Sequence, residues 1–263
     1  MKKKLLVFSL ICLIALINTG CFGDSPPNEF PIADKDKQSI THVTIPKNVT
    51  EIQEESLSEC KNLKKVIIPN SVNTIGYRAF YSCESLSELN IPESVTEIEE
   101  DAFKNCYSLK TINIPNKITS IKERTFEHCE NLTNLSIPNS VIKIDKLAFY
   151  HCDSLSELNI PESVTEIGES ACVMCKSLKK VNIPKGITKI EKSTFAWCKS
   201  LTELDIPDNV TEIEKEAFRY CTSLDVKIPD SVTEIGENAF EEVKHIEYHG
   251  NATGAPWGAK SMN

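Results

Sequence analysis

Glycine is scarce in this chain, nine in 263 residues, and no glycine-rich stretch of the kind that cradles a phosphate occurs. Bases are also short: 29 Lys and Arg stand against 38 Asp and Glu, a formal charge of −9. The first 20 residues hold three lysines and no acid, so 26 bases face 38 acids in the remainder. Such a body lacks the basic face that phosphate backbones require, which excludes nucleic acid as a partner. It equally disfavours docking of the folded part on an anionic membrane. Beyond residue 20 no segment approaches the ~20 apolar residues that span a bilayer. No nucleophile–His–acid arrangement can be placed. The carboxylates recur in register from one segment to the next instead of forming a single tuned acid and base. The expectation is a protein without catalysis, cofactor or metal.

What is present begins with an export signal. Lys2, Lys3 and Lys4 precede residues 5–17, a stretch apolar except for Ser9 and too short to span a membrane. Asn18-Thr19-Gly20-Cys21 resembles a bacterial lipobox, with Asn18 where Leu is usual. That resemblance implies removal of residues 1–20 and acylation of Cys21. Ordinary cleavage nearby, giving a secreted or periplasmic protein, is the alternative. Residues 21–39, with Pro26, Pro27, Pro31 and alternating charge from Asp34 to Lys37, have the composition of a tether.

A repeat fills the remainder. An Ile-Pro pair places its proline at Pro46, Pro69, Pro92 and onward every 23 residues to Pro207, then at Pro229 after 22. Cysteine keeps the same beat from Cys60 to Cys221, and Val243 takes the next slot, again after 22. In the unit 86–106, Leu86, Leu89 and Ile91 alternate as a half-buried strand would. Pro92 ends the pairing, Val95 and Ile98 form a second extended piece, and Ala102, Phe103 and Cys106 plug the turn. One such unit cannot bury its apolar side alone, but stacked units can.

The pattern Leu-x-x-Leu-x-Ile-Pro-x-x-Val-Thr-x-Ile-x-x-x-Ala-Phe-x-x-Cys resembles the BspA-like leucine-rich repeats of bacterial and protist surface proteins. The resemblance covers residues ~40 to 263. It implies a mainly β (or α/β-type) right-handed solenoid with a parallel concave sheet. About nine units occupy 40–243, and a capping segment, 244–263, places Trp257 over the exposed end. Leu57 replaces the usual Phe in the first unit, and Cys172 replaces it once more, where a soft spot is expected.

Exported cysteines invite a disulfide reading. Stacked parallel side chains, however, hold their Cβ atoms too far apart for good bridges, so buried thiols are expected, with some disulfides as the alternative. Cys172-x-x-Cys175 reads as an accident of substitution within the ladder, since neither a second pair nor a redox-motif context accompanies it.

Two surfaces are candidate binding sites. The residues before the buried isoleucine, Asn90, Asn113, Ser136, Asn159, Asn182 and Asp205, stack into a polar row on the expected concave sheet. A second row, including Lys65, Glu88 and Glu157, lies two residues earlier. These could equally be soluble fillers. Tyr81, Tyr150, Trp197 and Tyr220 gather between the Phe and Cys positions as a candidate aromatic edge, either an interface or flank packing. His128 and His151 share one slot in adjacent units, a pair that could be a two-ligand metal site but is expected to be chance. The resemblance and the export signal together imply a surface protein that binds an extracellular protein or glycan, touching membrane only through its lipid. An envelope scaffold without host ligand is the alternative.

Overall fold

The computed structural model describes residues 32, 34–253 and 257–263. The described residues form a β-solenoid of about nine turns with almost no helix. Each turn contributes a strand to each of two parallel ladders. The first holds β1 (His42–Thr44), β3 (Lys65–Ile67), β5 (Glu88–Leu89), β7 (Thr111–Asn113), β9 (Asn134–Ser136), β11 (Glu157–Leu158), β13 (Lys180–Asn182), β15 (Glu203–Asp205), β17 (Asp225–Lys227) and β19 (His245–Glu247). The second holds β2 (Glu51–Ile52), β4 (Thr74–Ile75), β6 (Glu97–Ile98), β8 (Ser120–Ile121), β10 (Lys143–Ile144), β12 (Glu166–Ile167), β14 (Lys189–Ile190), β16 (Glu212–Ile213) and β18 (Glu234–Ile235). Equivalent residues face each other in register, Val43 with Val66 and Ile144 with Ile167. Slippage by one residue would turn the buried row to solvent, so the alternating pattern fixes the register.

The core is a set of columns. Phe80, Phe103, Phe126 and Phe149 are buried and stacked, with ring centroids 5.3–5.7 Å apart. Phe195, Phe218 and Phe240 continue the column beyond Cys172. All nine described cysteines are free and buried. Their thiols are more than apolar filler: Cys106 Sγ–H donates to Phe80 O (3.2 Å) and Cys152 Sγ–H to Phe126 O (3.3 Å), linking each unit to the one before.

A third ladder holds the turns together. Two non-glycine residues per unit sit at φ of about +50° to +65°, for example Arg124 (54°) and His128 (59°). Left-handed backbone costs such residues roughly 1–2 kcal/mol each. The conformation aims three N–H groups per unit at the next unit: Arg124 to Lys146 O (3.1 Å), Phe126 to Ala148 O (2.9 Å) and His128 to Tyr150 O (2.8 Å). This set recurs at every junction between the nine units.

The strand ladders, by contrast, are interrupted. The first breaks between β3 and β5, β9 and β11, and β15 and β17; the second between β6 and β8 and between β12 and β14. Both follow a three-unit period. Residues 85–98 and 154–167 are identical, fourteen residues repeated after 69.

Both ends are covered. In the stretch expected to be tether, the chain on either side of the short helix α1 (Asp34–Lys37) packs on the first unit: Ile32 lies against the core, Ile40 is buried and Gln38 Nε2 donates to Glu59 O (3.2 Å). At the other end Phe240 N–H bonds Trp257 O (3.1 Å), and Trp257 is buried against Tyr248.

Candidate functional site

The outward positions of the first ladder form the polar face. Asn90, Ser136, Asn159 and Asp205 are exposed there, whereas Asn113 and Asn182 are half-buried. The difference has a structural cause. Strands β5 and β11 are one residue shorter than β7 and β13, and the following unit's asparagine fills in. Asn113 Nδ2 donates to Ile91 O (2.7 Å) and its Oδ1 accepts from Ile91 N–H (2.8 Å); Asn182 does the same for Ile160 (2.6 and 2.8 Å). These two amides are therefore committed to the fold. The 69-residue period could have revealed it: Asn113 and Asn182 occupy the same place after identical fourteen-residue segments.

Two shallow depressions lie on this face. One, of about 470 Å³, spans β3, β5 and β7, with Val66, Leu89 and Ile112 as floor and Lys65, Glu88, Asn90 and Thr111 as rim. The other, of about 540 Å³, spans β13 and β15, with Val181 and Leu204 below and Lys180, Glu203, Asp205 and Asp225 around it. Lys180 and Glu203 pair at 3.0 Å. Each depression borders a break in the first ladder.

The aromatic edge divides into two slots. Tyr81 and Tyr150 stand two residues before their cysteines, Trp197 and Tyr220 one residue before theirs. All four are half-buried. Trp197 and Tyr220 stack face to face at 4.1 Å, with Lys199 over Trp197 (5.0 Å) and Arg219 over Tyr220 (5.0 Å). Arg78 covers Tyr81 at 5.2 Å. Tyr150 meets His128 and His151 edge-on. The ring faces are largely occupied by one another and by these cations.

His128 and His151 stack at 4.5 Å with ring planes 16° apart. Stacked rings direct their lone pairs in parallel instead of toward one ion. Among the described residues no group of three or more His, Cys, Asp or Glu is arranged to hold a metal. Burial and the neighbouring His128 hold His151 below the usual imidazole value. Cys172 and Cys175 are both buried, and Cys175 Sγ–H donates to Phe149 O (3.3 Å) as the other ladder thiols do. Cys21 and the export signal lie outside the described residues.

A family model described as the BspA type leucine rich repeat region matches residues 35–134 and 119–247, with six copies. The chain belongs to that family. No curated protein matches it. Among solved structures this BspA-type chain is similar to a leucine rich cell surface protein of Faecalibacterium prausnitzii A2-165, at 26% identity and TM-score 0.55, over 85% of this chain and 79% of that one. It is similar as well to a leucine-rich repeat protein of Bacteroides ovatus ATCC 8483, at 26% identity and TM-score 0.50, over 86% and 75%. The pneumococcal vaccine antigen PcpA, 21% identical with TM-score 0.56 over 84% and 65%, shares the fold. The BspA-type relatives point to a repeat protein without catalysis. Among the described residues no helix is long and apolar enough to cross a membrane.

Proposed function

We propose that the chain is an exported lipoprotein, held at the cell surface through Cys21, that binds extracellular partners through the outward face of its first strand ladder. The observation that carries this reading is the pair of depressions on that face, with apolar floors and charged rims. Solenoids present such faces to extended ligands. A polypeptide suits the face better than a glycan. The face lacks aromatic rings, and the rings of the flank, which a sugar would stack against, already cover one another. Asn90 and Asn159, exposed and outside the asparagine bridges, are the residues to alter.

Protease shaving of intact cells, read with an antibody against the repeats, tests the placement. Loss of signal supports surface display. Protection until the envelope is broken favours the second reading, an internal scaffold. Cys21→Ala should move the protein into soluble fractions, and persistence in the membrane would overturn the lipid anchor. Asn90→Arg with Asn159→Arg should abolish capture of a partner identified by crosslinking on intact cells.

A further inference from the structure

The second ladder ends at β18, and among the described residues no strand pairs with its outer edge. The covering segment at this end acts elsewhere. Residues 261–263 bond β19 and its neighbour, and Trp257 and Gly258 receive the turn ladder. Tyr248 O–H reaches Val232 O (2.7 Å), just short of β18. In the preceding unit Thr211 O accepts from Thr233 N–H (2.9 Å) and Ile213 O from Gly236 N–H (2.7 Å). By the same register Thr233 O and Ile235 O point outward. Ile235 itself is half-exposed, whereas its eight equivalents, from Ile52 to Ile213, are all buried.

The surroundings of that edge are acidic. Residues 228–243 contain Asp230, Glu234, Glu237, Glu241 and Glu242 and no base. Lys215, Arg219 and Lys260 pair with Glu237, Glu241 and Glu242. Asp230 and Glu234 have no ion pair among the described residues, and Glu234 lies on the strand.

We propose that the outer edge of β18 takes up an extended, basic polypeptide segment as an added strand. Strand addition supplies main-chain hydrogen bonds, and alternate side chains of the guest meet Ile235 on one face and the carboxylates on the other. A second copy of this chain is the other occupant with matching hydrogen-bond polarity, since Thr50 and Gln53 N–H groups would face it from the first unit. Charge opposes that pairing: Glu51, Glu54 and Glu55 lie on and beside β2, where Arg78 pairs with Glu55 and Lys47 is the one base in residues 46–57. The inference concerns an edge separate from the face assigned above and does not depend on it.

The test is titration of the exported chain, residues 21–263 with Cys21→Ser, with a labelled seven-residue peptide of alternating Lys and Val, read by fluorescence anisotropy. Three comparisons accompany it: a Glu-Val peptide, a Lys-Val peptide N-methylated at alternate amides, and the exposed variant Glu234→Lys. Saturable binding is expected, at least tenfold weaker for the N-methylated peptide and for Glu234→Lys, and absent for Glu-Val. Asn90→Arg should leave it unchanged, which separates this edge from the first-ladder face. Equal binding of the N-methylated peptide would reduce the effect to charge adsorption and overturn the proposal. So would failure to bind, or a self-associating chain in high-salt sedimentation whose assembly Glu234→Lys alters.

Discussion

A ladder cysteine fills a small slot and donates its S–H to a carbonyl of the preceding unit. Burial sets the acidity that goes with this role. It pushes the Cys106 thiol up from 9.0 to about 12, and the Cys60 thiol, in the first unit with no preceding carbonyl, up to about 11. Such a thiol favours the folded state fully below pH 9, and that contribution drains away as pH rises toward 12, because the unfolded chain ionises first. With the same environment repeated along the array, the melting temperature should fall steeply above pH 9. Cys129→Val keeps the shape that Val243 has in this column but loses the bond to Phe103 O (3.3 Å). It should cost about 1 kcal/mol at neutral pH and make the alkaline fall shallower. Melting curves from pH 7 to 11 decide this, and an unchanged alkaline slope would mean that the thiols ionise in place.

Among elements, the two strand ladders differ from the turn ladder, and the second ladder's breaks coincide with a change at one position of the unit. Ser94 Oγ–H reaches Val72 O (2.6 Å), Ser140 reaches Ile118 O (2.7 Å) and Ser163 reaches Val141 O (2.7 Å). At the broken junctions this slot holds Lys117 and Gly186, which offer no hydroxyl. There the Thr119 and Thr188 amides lack the bonds to the preceding unit that Ile142 (2.9 Å) and Thr165 (2.9 Å) make. Hydrogen exchange should therefore be fast at Thr119 and Thr188 and slow at Phe126 and Phe195, in the turn ladder. Lys117→Ser should restore one link, raise stability by roughly 0.5–1 kcal/mol and slow Thr119. Equal protection of Thr119 before and after that change would count against the seam. The two-residue alternation and the Phe and Cys columns were legible in the sequence, because burial repeats with the unit. The turn ladder was not, because its left-handed positions carry Glu, Arg, Leu and His and no glycine to mark them. The split between free and committed asparagines escaped because it follows a three-unit period hidden beneath the stronger one-unit period. Charge was read as a net value, yet it is banded by unit. Residues 153–175 hold five acids and no base, and residues 176–198 six lysines and one acid. Lys176 with Asp153 (2.6 Å) and Lys192 with Glu169 (3.2 Å) join those bands.

The whole molecule is a one-dimensional array, so a lesion's place matters as much as its size. Phe149 is fully buried, stacks on Phe126 at 5.7 Å, and has only Cys172 as the next member of its column. Phe149→Ala should cost about 3–5 kcal/mol as an emptied core site. Because the smaller Cys172 stands on one side of it, the loss weakens two successive junctions near the middle. The halves should then melt with less dependence on each other, and the urea transition should broaden. Trp257→Ala removes a buried ring at the end, where only the last unit leans on it. That lesion should fray β19 and residues 257–263, seen as fast exchange at Phe240 and Ile246, while the main transition keeps its slope. If both variants instead lower the urea midpoint alike with unchanged slope, the nine units unfold as one cooperative block. Coupling through the turn ladder would then outweigh any single plug.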